Sequence, residues 1–194
     1  MQHYIEQSML YGYHQLVTQL GGDPDALLRQ HHIGLSHHTA NPLDLTDLTF
    51  GQHVPFQSSV HLIEATANAL ACDDFGRRLA QVQGIQFLGP LAVLARNQPN
   101  LLKALQSLSH YLRVFSSAIL FDVKQYNQTT RVTCSYPNIE TVGPQFYELA
   151  LGNIMVVIRF LSQSKVAPSR VYFPHHSVAS VANYHKFFNC SLAF

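Results

Sequence analysis

Charge is scarce in this 194-residue chain, since Lys, Arg, Asp and Glu together make up 12% of it and the net charge is +1. Soluble domains usually carry about twice that charged fraction. The 12 Lys and Arg residues are scattered, which excludes a nucleic-acid-binding face, because phosphate binding needs concentrated positive charge. With 47% apolar residues, we expect part of the surface to meet a ligand or another protein.

Cysteines and long apolar runs are also few. Cys72, Cys134 and Cys190 are widely separated and odd in number, so they predict buried free thiols of a reducing compartment and exclude a disulfide framework. No stretch approaches the ~18 apolar residues of a membrane span, and the N-terminus lacks the pattern of a signal peptide. We therefore expect a cytoplasmic chain with no membrane partner.

Catalytic motifs are missing as well. The 12 histidines include neighbouring pairs at 31–32, 37–38 and 175–176, but none stands in an HExxH pattern. No G-x-S-x-G elbow is present, and "FLGP" lacks the residues of a phosphate loop. We predict that the chain is not an enzyme and holds no metal or cofactor. A haem bound by His61 or His110 remains a minor alternative.

The spacing of apolar residues predicts a helical front half. The predicted helices cover 4–20, 23–31, 56–71, 73–81 and a hairpin of two helices at 87–112. Residues 33–55 are rich in turn formers and predict a long connection.

The periodicity changes to that of strands in the back half. Residues 118–138 predict an antiparallel β-hairpin, with Ile119, Phe121 and Val123 facing Val132, Cys134 and Tyr136. An almost wholly apolar helix at 144–162, a third strand, a short helix and a fourth strand follow. We predict a single domain over 1–194 of the α+β class, with a helical N-terminal half followed by a small, mostly antiparallel sheet (β-β-α-β-α-β) packed against helices.

Aromatic residues concentrate in the back half, and most of them are expected in the core. We predict that a few line an apolar cavity that binds a small molecule. The candidate ligand-binding residues are Phe87, Tyr111, Phe115, Tyr136, Tyr147, Arg159 and Tyr172. Arg159 has three possible roles, namely pairing with Glu148, reaching a helix edge or binding an anionic ligand.

Several motifs resemble a known family. The segments "LGGDPDALL", "FGRRL", "LGPLAVLARNQPNLLKAL" and "HKFFNC" occur in order along nearly the whole chain. Together they are similar to the N-terminal effector domain, described as arabinose-binding-like, of bacterial AraC-type transcription regulators.

The resemblance implies a domain that senses a small-molecule effector, whose identity it does not give, and that forms a homodimer. DNA would be bound only through a C-terminal helix-turn-helix domain that this chain lacks. The apolar ending "FFNCSLAF" predicts that the natural protein continues. The alternatives are a dimerisation or partner-binding module without a ligand and a haem or metal sensor.

Overall fold

The computed structural model describes residues 3–34, 52–137, 139 and 141–194. Helices in this part of the chain are α1 Tyr13–Gln19, α2 Pro24–Gln30, α3 Phe56–Ala69, α4 Phe75–Gln83, α5 Pro90–Arg96, α6 Leu101–Phe115, α7 Pro144–Ser162 and α8 Val181–Phe188. The strands are β1 Tyr4–Glu6, β2 His53–Pro55, β3 Leu120–Tyr126, β4 Thr129–Ser135, β5 Arg170–Tyr172 and β6 Ser191–Ala193. The α+β class is confirmed, and the back half follows the predicted order β-β-α-β-α-β.

The strands pair two by two. β1 pairs with β2 and β3 with β4, both antiparallel, whereas β5 and β6 are parallel. The hairpin of β3 and β4 has the predicted register, since Phe121 lies opposite Cys134 and Val123 opposite Val132. Within the described residues these pairs form three small sheets instead of one, so the helices supply most of the packing surface.

The predicted helix over 4–20 is wrong in its first half. Residues Tyr4–Glu6 form a strand that pairs with β2, and Ile5 also bridges Ser116. Gly12 then has a left-handed φ of 75°, which glycine adopts without strain and which separates the preceding turn from α1. The helical spacing of apolar residues was overridden here because the segment pairs with distant parts of the chain.

The hairpin of α5 and α6 follows the prediction closely. Asn100 caps α6 by accepting a hydrogen bond from the Lys103 backbone N–H, so this helix begins two residues after Pro99. Leu105, Leu108 and Leu112 lie on its buried face as expected. The β-hairpin packs beside this face, and the Ser109 hydroxyl donates to the Phe121 carbonyl across 2.6 Å.

Helices α4 and α7 approach each other closely because glycines lie at their contact. A Cβ placed on Gly76 would stand 2.1 Å from the Gln145 carbonyl oxygen, and one on Gly152 would stand 2.7 Å from the Cβ of Ala80. The Gly76 backbone N–H donates to Gln145 Oε1. This contact places the polar side chains of α4 directly against α7.

Helix α7 also separates two apolar clusters. The larger cluster contains Leu149, Val157 and Ile158 of α7 and side chains from most of the front half. The smaller C-terminal cluster consists of Met155, Val171, Phe173, Tyr184, Phe187 and Phe188. A movement of α7 would therefore displace side chains in both clusters. None of the helices described is long and apolar enough to cross a bilayer.

Candidate functional site

An apolar cavity of about 60 Å³ lies between α6, α7 and the β-hairpin. Its walls come from five separate stretches of the chain, at 9, 87–88, 105–121, 134 and 150–157. The lining residues are Met9, Phe87, Leu88, Leu105, Leu108, Leu112, Ile119, Phe121, Cys134, Ala150, Asn153, Ile154 and Val157. None of these side chains is acidic, basic or a histidine, so the cavity favours neutral and mostly apolar contents.

Asn153 is the one carboxamide on this wall, and the residue is 7% exposed. Its Nδ2 donates to Gln83 Oε1 across 2.9 Å, and Gln83 Nε2 donates to the Met9 carbonyl across 2.8 Å. Asn153 Oδ1 has no hydrogen-bond partner. A buried acceptor without a partner is uncommon in folded proteins and needs an explanation.

Cys134 contributes a thiol to the same wall. Burial raises the pKa of this thiol to about 11, against a weaker opposing effect from the Tyr136 hydroxyl. The thiol is therefore protonated at neutral pH, and it acts as a small, weakly polar group. All three cysteines are free thiols as predicted, although Cys134 and Cys190 are half-buried and only Cys72 is buried.

Phe87 is the predicted site residue that lies on the cavity wall. Tyr136 directly follows β4 and is buried, and its ring centroid stands 5.3 Å from that of Tyr147. The structure thus brings Tyr136 and Tyr147 together, outside the cavity lining. Tyr111 and Tyr172 are 43% and 63% exposed.

Phe115 and Arg159 complete the predicted set. The side chain of Phe115 lies outside the described part of the structure. Arg159 Nη2 donates to the Phe187 carbonyl at the end of α8, and the guanidinium lies 5.4 Å from the Phe187 ring centroid. Arg159 therefore reaches a helix edge, as in the second of its three predicted roles, while Glu148 pairs with another residue, Arg77.

The buried ion pair of Arg77 and Glu148 was not predicted. Arg77 Nη1 donates to Glu148 Oε2, the Tyr184 hydroxyl donates to Glu148 Oε1, and all three residues are buried. The Arg77 guanidinium also lies 3.9 Å from the Tyr184 ring centroid. This cluster, the Arg77–Glu148–Tyr184 junction, joins α4, α7 and α8. Its sequence signal is weak, namely one arginine and one glutamate within otherwise apolar helix faces.

Burial has a strong electrostatic effect at this junction. It raises the pKa of Glu148 to about 7, while the hydrogen bond from Tyr184 and the charge of Arg77 act in the opposite direction. Burial also raises the pKa of Tyr184. The junction therefore combines a structural contact between three helices with a group that titrates near neutral pH.

The histidines do not converge on a metal site in the part of the chain that the structure covers, where no three His, Cys, Asp or Glu side chains could hold an ion. His37 and His38 lie outside the described residues. His61 is hydrogen-bonded to Gln57 Nε2 across 3.0 Å, and His110 packs edge-on against Tyr111.

A second, more open cleft of about 440 Å³ lies between the α3–α4 connection and residues 179–183. Several of its polar groups already pair with one another, as Arg78 Nε donates to Asp74 and the Cys72 thiol contacts the same carboxylate. The unpaired buried polar atoms found among the described residues do not line this cleft. The apolar cavity is therefore the stronger candidate site.

Comparisons with known proteins agree with the sequence motifs. Residues 21–194 match the family described as the N-terminal arabinose-binding domain of AraC transcription regulators. The chain belongs to this family. It is also 34% identical over 196 residues to proteins described as HTH-type transcriptional regulator VirS from two strains of Mycobacterium tuberculosis.

The match to VirS includes 98% of this chain and 54% of those proteins. The chain thus spans about half the length of the curated relatives it matches. Since the family and these relatives are transcription regulators, this family member is a regulatory sensing domain and not an enzyme. All the lining residues of the cavity except Met9 fall within the region that matches the family.

Proposed function

We propose that residues 1–194 form the effector-sensing domain of a bacterial transcription factor and that the apolar cavity binds a small, mostly apolar effector. The observation that carries this proposal is a cavity walled by α6, α7 and the β-hairpin in a family of regulatory domains. Small-molecule sites are generally concave and apolar with few polar groups. The protein acts in the cytoplasm, where it meets both metabolites and DNA.

Effector entry must widen the cavity. Its volume of about 60 Å³ is less than half of the roughly 150 Å³ that accommodates benzene in an engineered apolar cavity. Met9 is a flexible, partly buried side chain on the wall, and its displacement would enlarge the space. The effector therefore stabilises a wider state of the domain over the compact one.

Helix α7 connects this widening to the end of the chain. Its residues Asn153, Ile154 and Val157 line the cavity. Met155 of the same helix belongs to the C-terminal cluster, and Glu148 accepts a hydrogen bond from Tyr184 of α8. A helix-turn-helix domain that follows residue 194 would then be repositioned when α7 moves. A coupling of ~1–3 kcal/mol would be typical of such regulation.

A second role, homodimerisation, is favoured by exposed apolar side chains on two helices in contact, α5 and α6. Val93 and Leu94 of α5 and Tyr111 and Val114 of α6 are all exposed, and Val114 is 75% exposed. Exposed apolar side chains in a group commonly mark a protein interface. Sedimentation of the wild type and of Val114→Arg at micromolar concentration tests this role. A monomeric wild type would contradict it.

Thermal unfolding in the presence of a panel of small apolar metabolites tests the effector site. A true effector at about 100 times its dissociation constant should stabilise the domain by about 2.7 kcal/mol. Ala150→Leu, which fills the cavity, should abolish this stabilisation, whereas Ala182→Leu on the exposed face of α8 should keep it. Stabilisation that survives Ala150→Leu would show that the effector binds elsewhere.

A further inference from the structure

We propose that the effector is a neutral, mostly apolar molecule with one O–H or N–H group, which donates a hydrogen bond to Oδ1 of Asn153. This inference rests on the proposed function, because it assigns a ligand class to the same cavity. The ligand class covers alcohols, phenols and amides with a small apolar body.

The orientation of the Asn153 amide follows from a chain of hydrogen bonds. The Met9 carbonyl can only accept, so the Gln83 group that contacts it across 2.8 Å must be the NH₂. Gln83 therefore presents Oε1 to Asn153, and the Asn153 group facing it across 2.9 Å must be its own NH₂. Asn153 Oδ1 is then the last acceptor in this series of hydrogen bonds, and it has no partner.

A water molecule is a poor partner for this acceptor. The cavity exceeds the ~10–15 Å³ that one water needs, but a buried water also needs 2–4 polar partners. Besides Asn153, the lining side chains offer only the weakly polar thiol of Cys134. A ligand that brings one donor and an apolar body satisfies the acceptor and fills the rest of the space.

The lining also selects against charge. An ionised ligand would lose its hydration without meeting a counter-ion, which is strongly unfavourable. A carboxylate in particular would place negative charge beside the oxygen of Asn153. The other unpaired buried polar atoms of the described residues belong to His31, Arg77 and His175, and none of these residues lines the cavity.

The test uses three probes of similar shape: 4-methylphenol, 4-methyltoluene and 4-methylbenzoate. The first has a donor, the second replaces the hydroxyl with a methyl group, and the third is an anion. Each is titrated into the whole chain carrying labelled Met and Ile methyl groups, and saturable shifts at Met9 and Ile154 yield dissociation constants. We expect the phenol to bind and the benzoate not to bind.

The decisive quantity is the affinity for 4-methylphenol divided by the affinity for 4-methyltoluene in the same protein. The cost of desolvating the hydroxyl is the same in every variant, so it cancels when this ratio is compared between wild type and variant. Asn153→Leu should lower this relative affinity by ~10-fold or more, the effect of one buried hydrogen bond. Asn183→Leu, the same replacement at an exposed asparagine of α8, should leave it unchanged. Asn153→Ala serves as a second variant if the leucine protein does not fold.

The outcomes separate this inference from the proposed function. An unchanged relative affinity in both Asn153 variants, or benzoate binding as tight as phenol binding, would overturn the ligand class and leave the cavity as a binding site. Absence of saturable shifts with every probe, up to its solubility, would overturn both proposals.

Discussion

Two buried polar side chains on α7, Glu148 and Asn153, differ in how completely they are hydrogen-bonded. Both find their main partner on α4, at Arg77 and Gln83 respectively. Both carboxylate oxygens of Glu148 accept hydrogen bonds, whereas Asn153, a residue of the cavity lining, has an acceptor without a partner. A buried charge without partners is prohibitive, but a single neutral acceptor costs about 1–3 kcal/mol and is tolerated. We infer that Glu148 stabilises the fold and that Asn153 serves binding.

Replacing Glu148 should give the largest effect. Glu148→Leu leaves the Arg77 charge buried without a counter-ion, and the free energy of unfolding should fall by about 3–5 kcal/mol. Urea denaturation followed by circular dichroism measures this. The double variant Arg77→Met, Glu148→Leu should regain much of the loss, since it removes both charges. A loss below about 1 kcal/mol in the single variant would contradict a structural role.

Gly76→Ala tests the helix contact on which both side chains depend. The added Cβ would collide with the Gln145 carbonyl oxygen, a backbone atom that cannot move aside easily. The free energy of unfolding should fall by about 1–3 kcal/mol, and the binding of 4-methylphenol should weaken. Gly34→Ala is the control, because a Cβ there meets no atom of the described residues within 4 Å. Equal stability of the two variants would contradict close packing of α4 and α7.

The pH dependence of stability should distinguish the titrating junction from the neutral cavity. Burial raises the pKa of Glu148 from 4.5 to about 7, so the folded state binds this proton more tightly than the unfolded state. Its contribution to stability is present below pH 4.5 and is lost as the pH rises through about 7. The free energy of unfolding of the wild type relative to that of Glu148→Gln should therefore fall as the pH rises over this window.

Chemical denaturation at pH 4.5 to 8 measures that difference. Other buried groups with raised pKa values, such as Glu64, are present in both proteins. Their contributions therefore cancel in the difference. Asn153→Leu does not titrate and should show the same pH profile as the wild type. If the stability of Glu148→Gln changed with pH in parallel with that of the wild type, the raised pKa of Glu148 would be contradicted.

Asn153→Leu should have the smallest effect on stability. The variant removes an unpaired acceptor, which is favourable, and removes the donor to Gln83 Oε1, which is unfavourable. These changes oppose each other, so the free energy of unfolding should change by less than about 1 kcal/mol while ligand selectivity shifts. A loss as large as that of Glu148→Leu would assign Asn153 a structural role as well.

Much of the fold could be predicted because its signals are local. Asp23 and Asn100 cap their helices with their own side chains, and the spacing of Leu105, Leu108 and Leu112 identifies the buried face of α6. The segment at 4–12 could not be predicted in this way. Its strand exists because β2 and Ser116 offer backbone partners that lie far away in sequence.

The candidate site was harder to predict than the fold. Selection by aromatic content found Phe87 on the cavity wall, but that wall is mostly aliphatic. Asn153 has no motif of its own, and it differs from an ordinary buried asparagine only in the partner that its oxygen lacks. The remaining predicted residues stay predictions that ligand binding will test.

The sequence by itself determined most of the helices, the β-hairpin, the α+β class and the family, because periodicity, caps and motif order are properties of neighbouring residues. Only the tertiary structure decided which polar groups are satisfied. The pairs Arg77–Glu148 and Gln83–Asn153 join residues separated by 71 and 70 positions. Whether a buried oxygen finds a donor depends on how closely α4 and α7 pack, and that distance is set by the whole core.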